Sequence, residues 1–389
     1  MSSPRWTSTL SSFPTSGFNL LDPSLEIEEE TLPTYLPEKY YPVRQGEVLN
    51  ERYQVLAKLG YGVTSTIYVT GQDRNRELDV HEHLNSVKSN HPGKRFIRKL
   101  FDHFHVIGPH RRHICLVHEP LGISASELLK WVPGQAMTLE DLKPCIRQLL
   151  VALDFLHSVA RIVHTDIQLN NLLLPTPQNN ALVNFEEKEI QTQSPRKVLK
   201  EHTIYTSSRF PPGDGLPLLS DFGEARFGDE EHHEDIMPNP YRAPEVILRS
   251  SWDYKVDIWN VGMVAWDIIS RNRLINGKNP DGIFDDRSHL AELVALLGPP
   301  PPEFCERSHL SSVFWDKLGN WKNLAPIPNT SLEALAANVR GEDKAGFLRW
   351  LRMALQWNSE DRSTALDLLY DEWLMKGLKL GESRERGGP

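Results

Sequence analysis

Between residues 142 and 156 apolar side chains recur at three- and four-residue steps, at Leu142, Ile146, Leu149, Leu150, Leu153 and Leu156. That spacing commits the stretch to a helix with one buried face. Thr138 and Asp141 are spaced as a capping box at its start, although Pro144 blurs the boundary. A second run, 256–269, is apolar nearly all round and predicts a helix buried on every side. Residues 347–355 and 364–374 add two more helical patterns. The strand signals all lie upstream. Residues 53–59 and 65–69 are β-rich and flank Gly60 and Gly62, the signature of a hairpin, and 114–117 read as a short buried strand. Residues 74–88 look helical. A few strands followed by many helices predicts an α+β chain of two lobes, a small β-rich one and a larger helical one.

Residues 1–38 are polar and punctuated by proline, with acids at Glu26, Glu28, Glu29 and Glu30, and read as a disordered tail. Their first twenty residues carry Arg5 and no acid, a weak organelle-targeting composition that a plain tail explains equally well. The lobes are expected at 39–121 and 122–376, with a second tail over 377–389. Residues 174–217, holding Pro175, Pro177 and Pro195, read as a long irregular spacer. A net charge of −9 argues against a nucleic-acid backbone as direct ligand. No apolar run approaches the length that crosses a bilayer, so no membrane partner is expected. Cys115, Cys145 and Cys305 are far apart and form no CxxC pair, which favours a reducing, intracellular setting over a disulfide framework.

Four short motifs carry chemistry. Gly60-x-Gly62-x-x-Ser65 on a tight hairpin lets backbone N–H groups approach phosphate oxygens, though many hairpins hold two glycines. His164-Thr165-Asp166-Ile-Gln168-Leu-Asn170-Asn171 offers a base for a hydroxyl at Asp166 and an oxygen ligand for Mg²⁺ at Asn171. Asp221-Phe222-Gly223 supplies a second acid able to hold a metal that bridges nucleotide phosphates. Ala243-Pro244-Glu245 follows. Each alone has a plain alternative, since an aspartate in a turn is usually a cap. Their order in one chain is the signature set of protein kinases.

On these motifs the chain resembles the protein kinase superfamily over about residues 39 to 376. Within it, Tyr40-Tyr-Pro-Val-Arg44, Leu59-Gly-Tyr-Gly62, Glu119-Pro-Leu-Gly122, Leu219-Ser-Asp-Phe-Gly-Glu-Ala-Arg226 and Pro240-Tyr-Arg-Ala-Pro-Glu-Val-Ile-Leu248 resemble fungal SR-protein-kinase-like sequences of the CMGC group. The resemblance implies a bilobal fold and a serine/threonine kinase transferring the γ-phosphoryl of ATP, with Mg²⁺, to serines in basic Arg/Ser-rich protein substrates. It also implies an insertion near 275–315, a monomer, and a location in cytoplasm or nucleus. Asp257 matches a buried aspartate that holds the catalytic loop, and Arg362 matches an arginine that pairs with Glu245. Val117 to Leu121 resembles the hinge, with His118 as gatekeeper and the backbone of Glu119 and Leu121 facing adenine. A buried histidine there also reads as an ordinary core residue.

The pattern breaks in the small lobe. Such kinases carry a lysine on the third strand, paired with a glutamate that Glu77 matches best. Only nine residues separate Ile67 from Glu77, and none is lysine. A strand with its turns needs roughly 20. Lys58 precedes the glycines and faces the wrong way. In the catalytic loop, Gln168 stands where the resembling kinases aim a second lysine at the γ-phosphate. Losing one such donor costs about 10²–10³ in rate, so turnover well below normal is expected. Thr165 replaces an arginine that elsewhere binds a loop phosphate, and residues 224–240 contain no Ser, Thr or Tyr. Their acids, Asp229 to Glu231 with Glu234 and Asp235, read first as a solvated loop and second as a surface for Arg-rich peptides. Three readings follow: an impaired kinase, a pseudokinase acting as a protein-binding module, or a splice form or incomplete gene product of an active kinase.

Overall fold

The helix expected over 142–156 spans Leu139–Asp154 and then passes into a π-turn, Phe155–Ala160, that closes at Arg161 in the left-handed region. Thr138 and Asp141 form the capping box: the Thr138 hydroxyl accepts the Asp141 N–H at 3.2 Å, and the Asp141 carboxylate accepts the Thr138 N–H at 3.3 Å. Pro144 lies inside this helix without ending it. Leu142, Ile146, Leu149, Leu150, Leu153 and Leu156 are all buried, as the periodicity requires. At about 2 kcal/mol for each buried leucine, this stripe is a main source of cohesion.

These coordinates are a computed structural model that describes residues 10–33, 35–61, 76–177, 180–210 and 212–378. The chain divides into two units. One is drawn from Met1–Glu82, Arg98–Ile123 and Leu173–Gly215; the other from His83–Ile97, Ser124–Leu172 and Leu216–Pro389.

The second unit is mainly helical. Its central helix, Lys255–Ile269, buries Trp259 and Trp266 and packs against the Leu139–Asp154 helix. Gly262 allows the Lys344–Ala354 helix to approach, since a Cβ there would sit 2.8 Å from the Leu355 side chain. The single helix expected over 364–374 is two, Ala365–Leu369 and Glu372–Met375. The break falls at Asp371, whose carboxylate caps the second helix by accepting the Trp373 N–H at 2.9 Å. The region expected as an insertion, 275–315, holds the helices Asp286–Leu297, Pro302–Glu306 and Ser311–Phe314.

In the first unit, Leu100–Ile107 and Arg112–His118 form an antiparallel hairpin that extends the strand expected at 114–117. Among the described residues, the strand expected over 53–59 enters a ladder at Tyr53–Gln54, opposite Val48–Leu49. The helix Arg76–Ser86 takes the place expected for it. Gly62, Ser65, the strand expected over 65–69 and the junction from Ile67 onward lie outside the described residues, as does the tail from 379.

Three expectations are corrected here. Residues 10–33 are not a contact-free tail. Leu20 forms a parallel bridge to Arg196, with Leu21 N–H donating to the Arg196 carbonyl at 2.9 Å. The acidic cluster finds partners far away in sequence. Glu30 pairs with buried Lys197 at 2.7 Å, Glu28 accepts from the Ser207 N–H and hydroxyl, and Glu29 pairs with Lys58. The spacer 174–217 is not irregular either. It contains the helix Ala181–Gln191 and the hairpin Arg196–Val198/Thr203–Tyr205. Its prolines flank these elements instead of interrupting them. Because 173–215 belongs to the first unit, the expected lobe boundary at 121/122 is not a single cut.

Candidate active site

The loop carrying Asp166 leaves the Leu139–Asp154 helix through Arg161 (φ 57°) and the short strand Ile162–Val163. That strand pairs antiparallel with Arg226–Phe227, so the segment after Asp221 lies against the loop. Asp257, fully buried in the first turn of the central helix, fixes the loop from inside. One of its oxygens accepts the His164 N–H at 2.8 Å and the other the Thr165 N–H at 2.8 Å, while the His157 ring lies 2.8 Å away. This anchorage holds Thr165 at φ 66°, a left-handed conformation that a β-branched residue rarely adopts.

His164 then links the loop to the segment around Asp221. Its Nδ1 accepts the Asp166 N–H at 3.3 Å, which leaves Nε2–H to donate to the Ser220 carbonyl at 3.1 Å. Its ring lies against buried Phe222 at 4.9 Å. Ser220 donates twice to the Asn171 carbonyl, from N–H and hydroxyl, both at 2.9 Å. Asp221 is thereby held beside the loop at φ 65°, with Oδ1 accepting the Gly223 N–H at 3.2 Å.

Asp166 is cradled by its neighbours. The Asn171 amide nitrogen donates to its carbonyl at 2.9 Å and to its carboxylate at 2.7 Å, and the Gln168 amide donates to the other carboxylate oxygen at 2.8 Å. Burial pushes the Asp166 carboxyl above the usual range, and the negative charge of Asp221 adds to it, against His164, Gln168 and Asn171. Two acids within electrostatic reach, plus an asparagine whose NH₂ is committed to Asp166 and whose oxygen remains, make a hard-oxygen donor set that suits Mg²⁺. The structure therefore brings Asp166, Gln168, Asn171 and Asp221 together. The Gln168 amide is turned onto Asp166.

The following segment is tethered without a phosphate. The Thr165 hydroxyl donates to the Glu224 carbonyl at 2.6 Å, Arg226 reaches Glu234 at 3.6 Å, and Arg242 pairs with Asp235 at 2.8 Å. Asp229 pairs with Arg161 at 3.1 Å. The acids from Asp229 to Asp235 are all exposed, as expected for a solvated loop, and Asp229, Glu234 and Asp235 also meet arginines of the unit. Asp166, Gln168, Glu224, Asp235 and Arg242 line an open surface cavity here. The expected Arg362–Glu245 pair is present, bidentate at 2.5 and 2.6 Å with both side chains buried.

The remaining candidates lie in the first unit. Gly60 is exposed at the end of the described stretch. Glu77 faces histidines: its carboxylate is 3.6 Å from His118 Nε2 and 3.9 Å from His81 Nε2. Lys58 is held by Glu29 and lies 3.5 Å from Glu28. Among the described residues, therefore, no lysine is shown beside Glu77. Both backbone polar groups of Glu119 have partners in the unit, its N–H on the Lys99 carbonyl at 2.8 Å and its carbonyl under the Arg98 guanidinium at 3.1 Å. Leu121 opens the strand Leu121–Ser124 and is buried. Burial, then Arg98 and His81, push the His118 imidazole down to about 3. His81 escaped the sequence reading, although its place four residues after Glu77 puts both on one helix face.

Residues 53–374 match the protein kinase domain family. The chain belongs to the protein kinase family. Among its relatives, a serine/threonine protein kinase of Aspergillus fumigatus is 41% identical, covering 93% of this chain and 94% of the relative. The serine/threonine-protein kinase SRPK of Physarum polycephalum is 27% identical over 88% of this chain and 90% of its own. The SRSF protein kinase 3 of Homo sapiens is 21% identical, with 89% and 90% covered. The chain is a serine/threonine-kinase-like protein of α+β fold, from a family that uses ATP and Mg²⁺ on protein substrates. No helix of the described residues is long and apolar enough to cross a membrane.

Proposed function

We propose that this chain is an SR-protein-kinase-like serine/threonine kinase in which the metal-holding, hydroxyl-orienting half of the centre is kept and the phosphate-binding cations are lost. The observation that carries this reading is the web around Asp166. Asn171 and Gln168 fix both carboxylate oxygens, and His164 fixes the backbone. In this reading Asp166 accepts the hydrogen bond of a substrate serine hydroxyl and aims its oxygen; the serine O–P bond to the γ-phosphorus of ATP forms as the bond to the bridging oxygen breaks, ADP leaves, and the hydroxyl proton passes to the carboxylate. Asn171 and Asp221 would hold Mg²⁺, which supplies positive charge at the phosphates when bound. Glu224 and Asp235, beside Asp166 in the surface cavity, favour a basic Arg/Ser-rich peptide.

The nucleotide half fits less well. Lys58 is engaged by Glu29, Gln168 is turned onto Asp166, and Glu77 faces His118 and His81. This favours the second reading, a protein-binding pseudokinase, to the extent of predicting slow turnover. One assay separates the two: the full chain with Mg-ATP and an Arg/Ser repeat peptide, compared with Asp166→Asn. Slow phosphate transfer abolished by D166N supports the kinase reading. Peptide binding with no transfer above the D166N background leaves the pseudokinase. A large Mg-ATP thermal shift, near the roughly 2.7 kcal/mol of a ligand at a hundred times its Kd, would refute the impaired nucleotide half.

A further inference from the structure

We infer that Glu77, His81 and His118 form a binding site for a divalent late first-row transition-metal ion, Zn²⁺ in the first instance. The three ligand atoms, one from each residue, lie within 4.8 Å of one another. The Glu77 carboxylate is 3.6 Å from His118 Nε2 and 3.9 Å from His81 Nε2, and the two rings stand edge to face with centroids 4.9 Å apart. Around tetrahedral Zn²⁺, with bonds of about 2.0–2.1 Å, ligand atoms sit about 3.3 Å apart. The cluster is thus within small side-chain rotations of coordination geometry.

The frame is rigid. Glu77 and His81 are one turn apart on the helix Arg76–Ser86, and His118 ends the strand Arg112–His118. All three belong to the first unit, and His81 is buried with the others partly so. Two imidazoles and one carboxylate are the donor set that Zn²⁺ takes in open sites, with the fourth position left to water or another ligand. Mg²⁺ and Ca²⁺ prefer oxygen ligands, which argues against them here. Arg98 lies near His118 and opposes a cation, and the Glu77 charge offsets it. A bound ion would put positive charge beside Glu77, where the resembling kinases carry a lysine. The site itself is independent of any catalysis by the chain.

The test uses the full chain, stripped with chelator, and the metal alone. Co²⁺ titration of the wild type should give the intense visible bands of a four-coordinate ion at one equivalent, displaced by Zn²⁺. Glu77→Gln, His81→Gln and His118→Gln should each weaken Zn²⁺ binding by about 100-fold or more. His233→Gln and His103→Gln should leave it intact. Those controls remove exposed histidines beside Glu231 (3.3 Å) and Glu82 (3.8 Å), the competing surface sites. Apo melting curves show which variants fold. If none folds, protection of His81 and His118 from diethyl pyrocarbonate by one equivalent of Zn²⁺ in the wild type decides the matter, and their continued modification overturns the inference. Weak octahedral-type bands, no one-equivalent endpoint, or loss of binding only in the controls overturns the inference.

Discussion

Replacing Asp257 by Asn tests whether one buried carboxylate holds the Asp166 loop. Its two oxygens serve separate backbone donors, Oδ2 for His164 and Oδ1 for Thr165, each at 2.8 Å, with the His157 ring also at 2.8 Å from Oδ2. Asparagine is nearly isosteric but offers a single oxygen. Whichever way the amide sits, one buried N–H must face an NH₂ group, at about 1–3 kcal/mol. The surviving bond loses its charge assistance, about 1 kcal/mol more. We expect Asp257→Asn to destabilise the chain by about 2–4 kcal/mol. At a urea slope of about 3 kcal/mol per M, the midpoint followed by tryptophan fluorescence falls by about 1 M. His157→Phe, which removes only the third donor and leaves both backbone bonds, should cost less. A D257N midpoint within about 0.2 M of wild type would refute the claim that these two bonds carry the loop.

Arg362→Met strands the buried Glu245 carboxylate and should cost about 3–5 kcal/mol, with part of that recovered in the double variant Glu245→Gln/Arg362→Met. Calorimetry finding less than about 1 kcal/mol for the single change would mean that the pair is dispensable. His289 is fully buried, and burial, with Arg242, pushes its imidazole down to about 3. Below pH 6.5 the unfolded chain binds a proton that the native chain refuses, so stability is complete above that pH and falls as pH drops towards 3. The slope is about 1.4 kcal/mol per pH unit. Stability curves of wild type and His289→Gln should diverge accordingly below pH 6.5; parallel curves would exclude His289 as the source. Gln168→Lys frees the position from Asp166 and returns a cation, so phosphate transfer to an Arg/Ser peptide should rise about 100-fold. Unchanged rates in Q168K would show that Gln168 is not what slows the chain.

The second unit was legible because its signals are local. The leucine stripe from Leu142 to Leu156 and the buried helix around Trp259 follow from periodicity, and both lie where expected. The Arg362–Glu245 pair, 117 residues apart, came from resemblance alone, since nothing in spacing joins two distant charges. The first unit was less legible for the same reason. Glu28, Glu29 and Glu30 look like a solvated acidic run until Lys58, Lys197 and Ser207 come in from remote segments. No window of the sequence contains both halves of those contacts. The spacer misled differently. Prolines at 175, 177 and 195 mark the ends of the elements between them and say nothing of the helix Ala181–Gln191 they enclose. Gln168 shows the limit for the site, because its residue type excludes a cation and only the structure shows its amide turned onto Asp166.

Conserving a fold and conserving a reaction leave different marks, and the backbone distinguishes them here. Asp257, His164 and the Arg362–Glu245 pair would be kept by any chain that needs this scaffold, so they say little about chemistry. Thr165 at φ 66° and Asp221 at φ 65° are another matter. Left-handed backbone at a non-glycine residue costs about 1–3 kcal/mol, less for aspartate than for a β-branched side chain, and persists where surrounding contacts impose it. Thr165 is imposed by Asp257. Among the described residues, the Asp221 side chain accepts one backbone N–H, that of Gly223, and its charge raises the pKa of Asp166. A scaffold alone would be better served at position 221 by asparagine, which tolerates the same backbone and carries no charge. In the proposed kinase reading, the acid at this position is accounted for by the Mg²⁺ that it and Asn171 would hold.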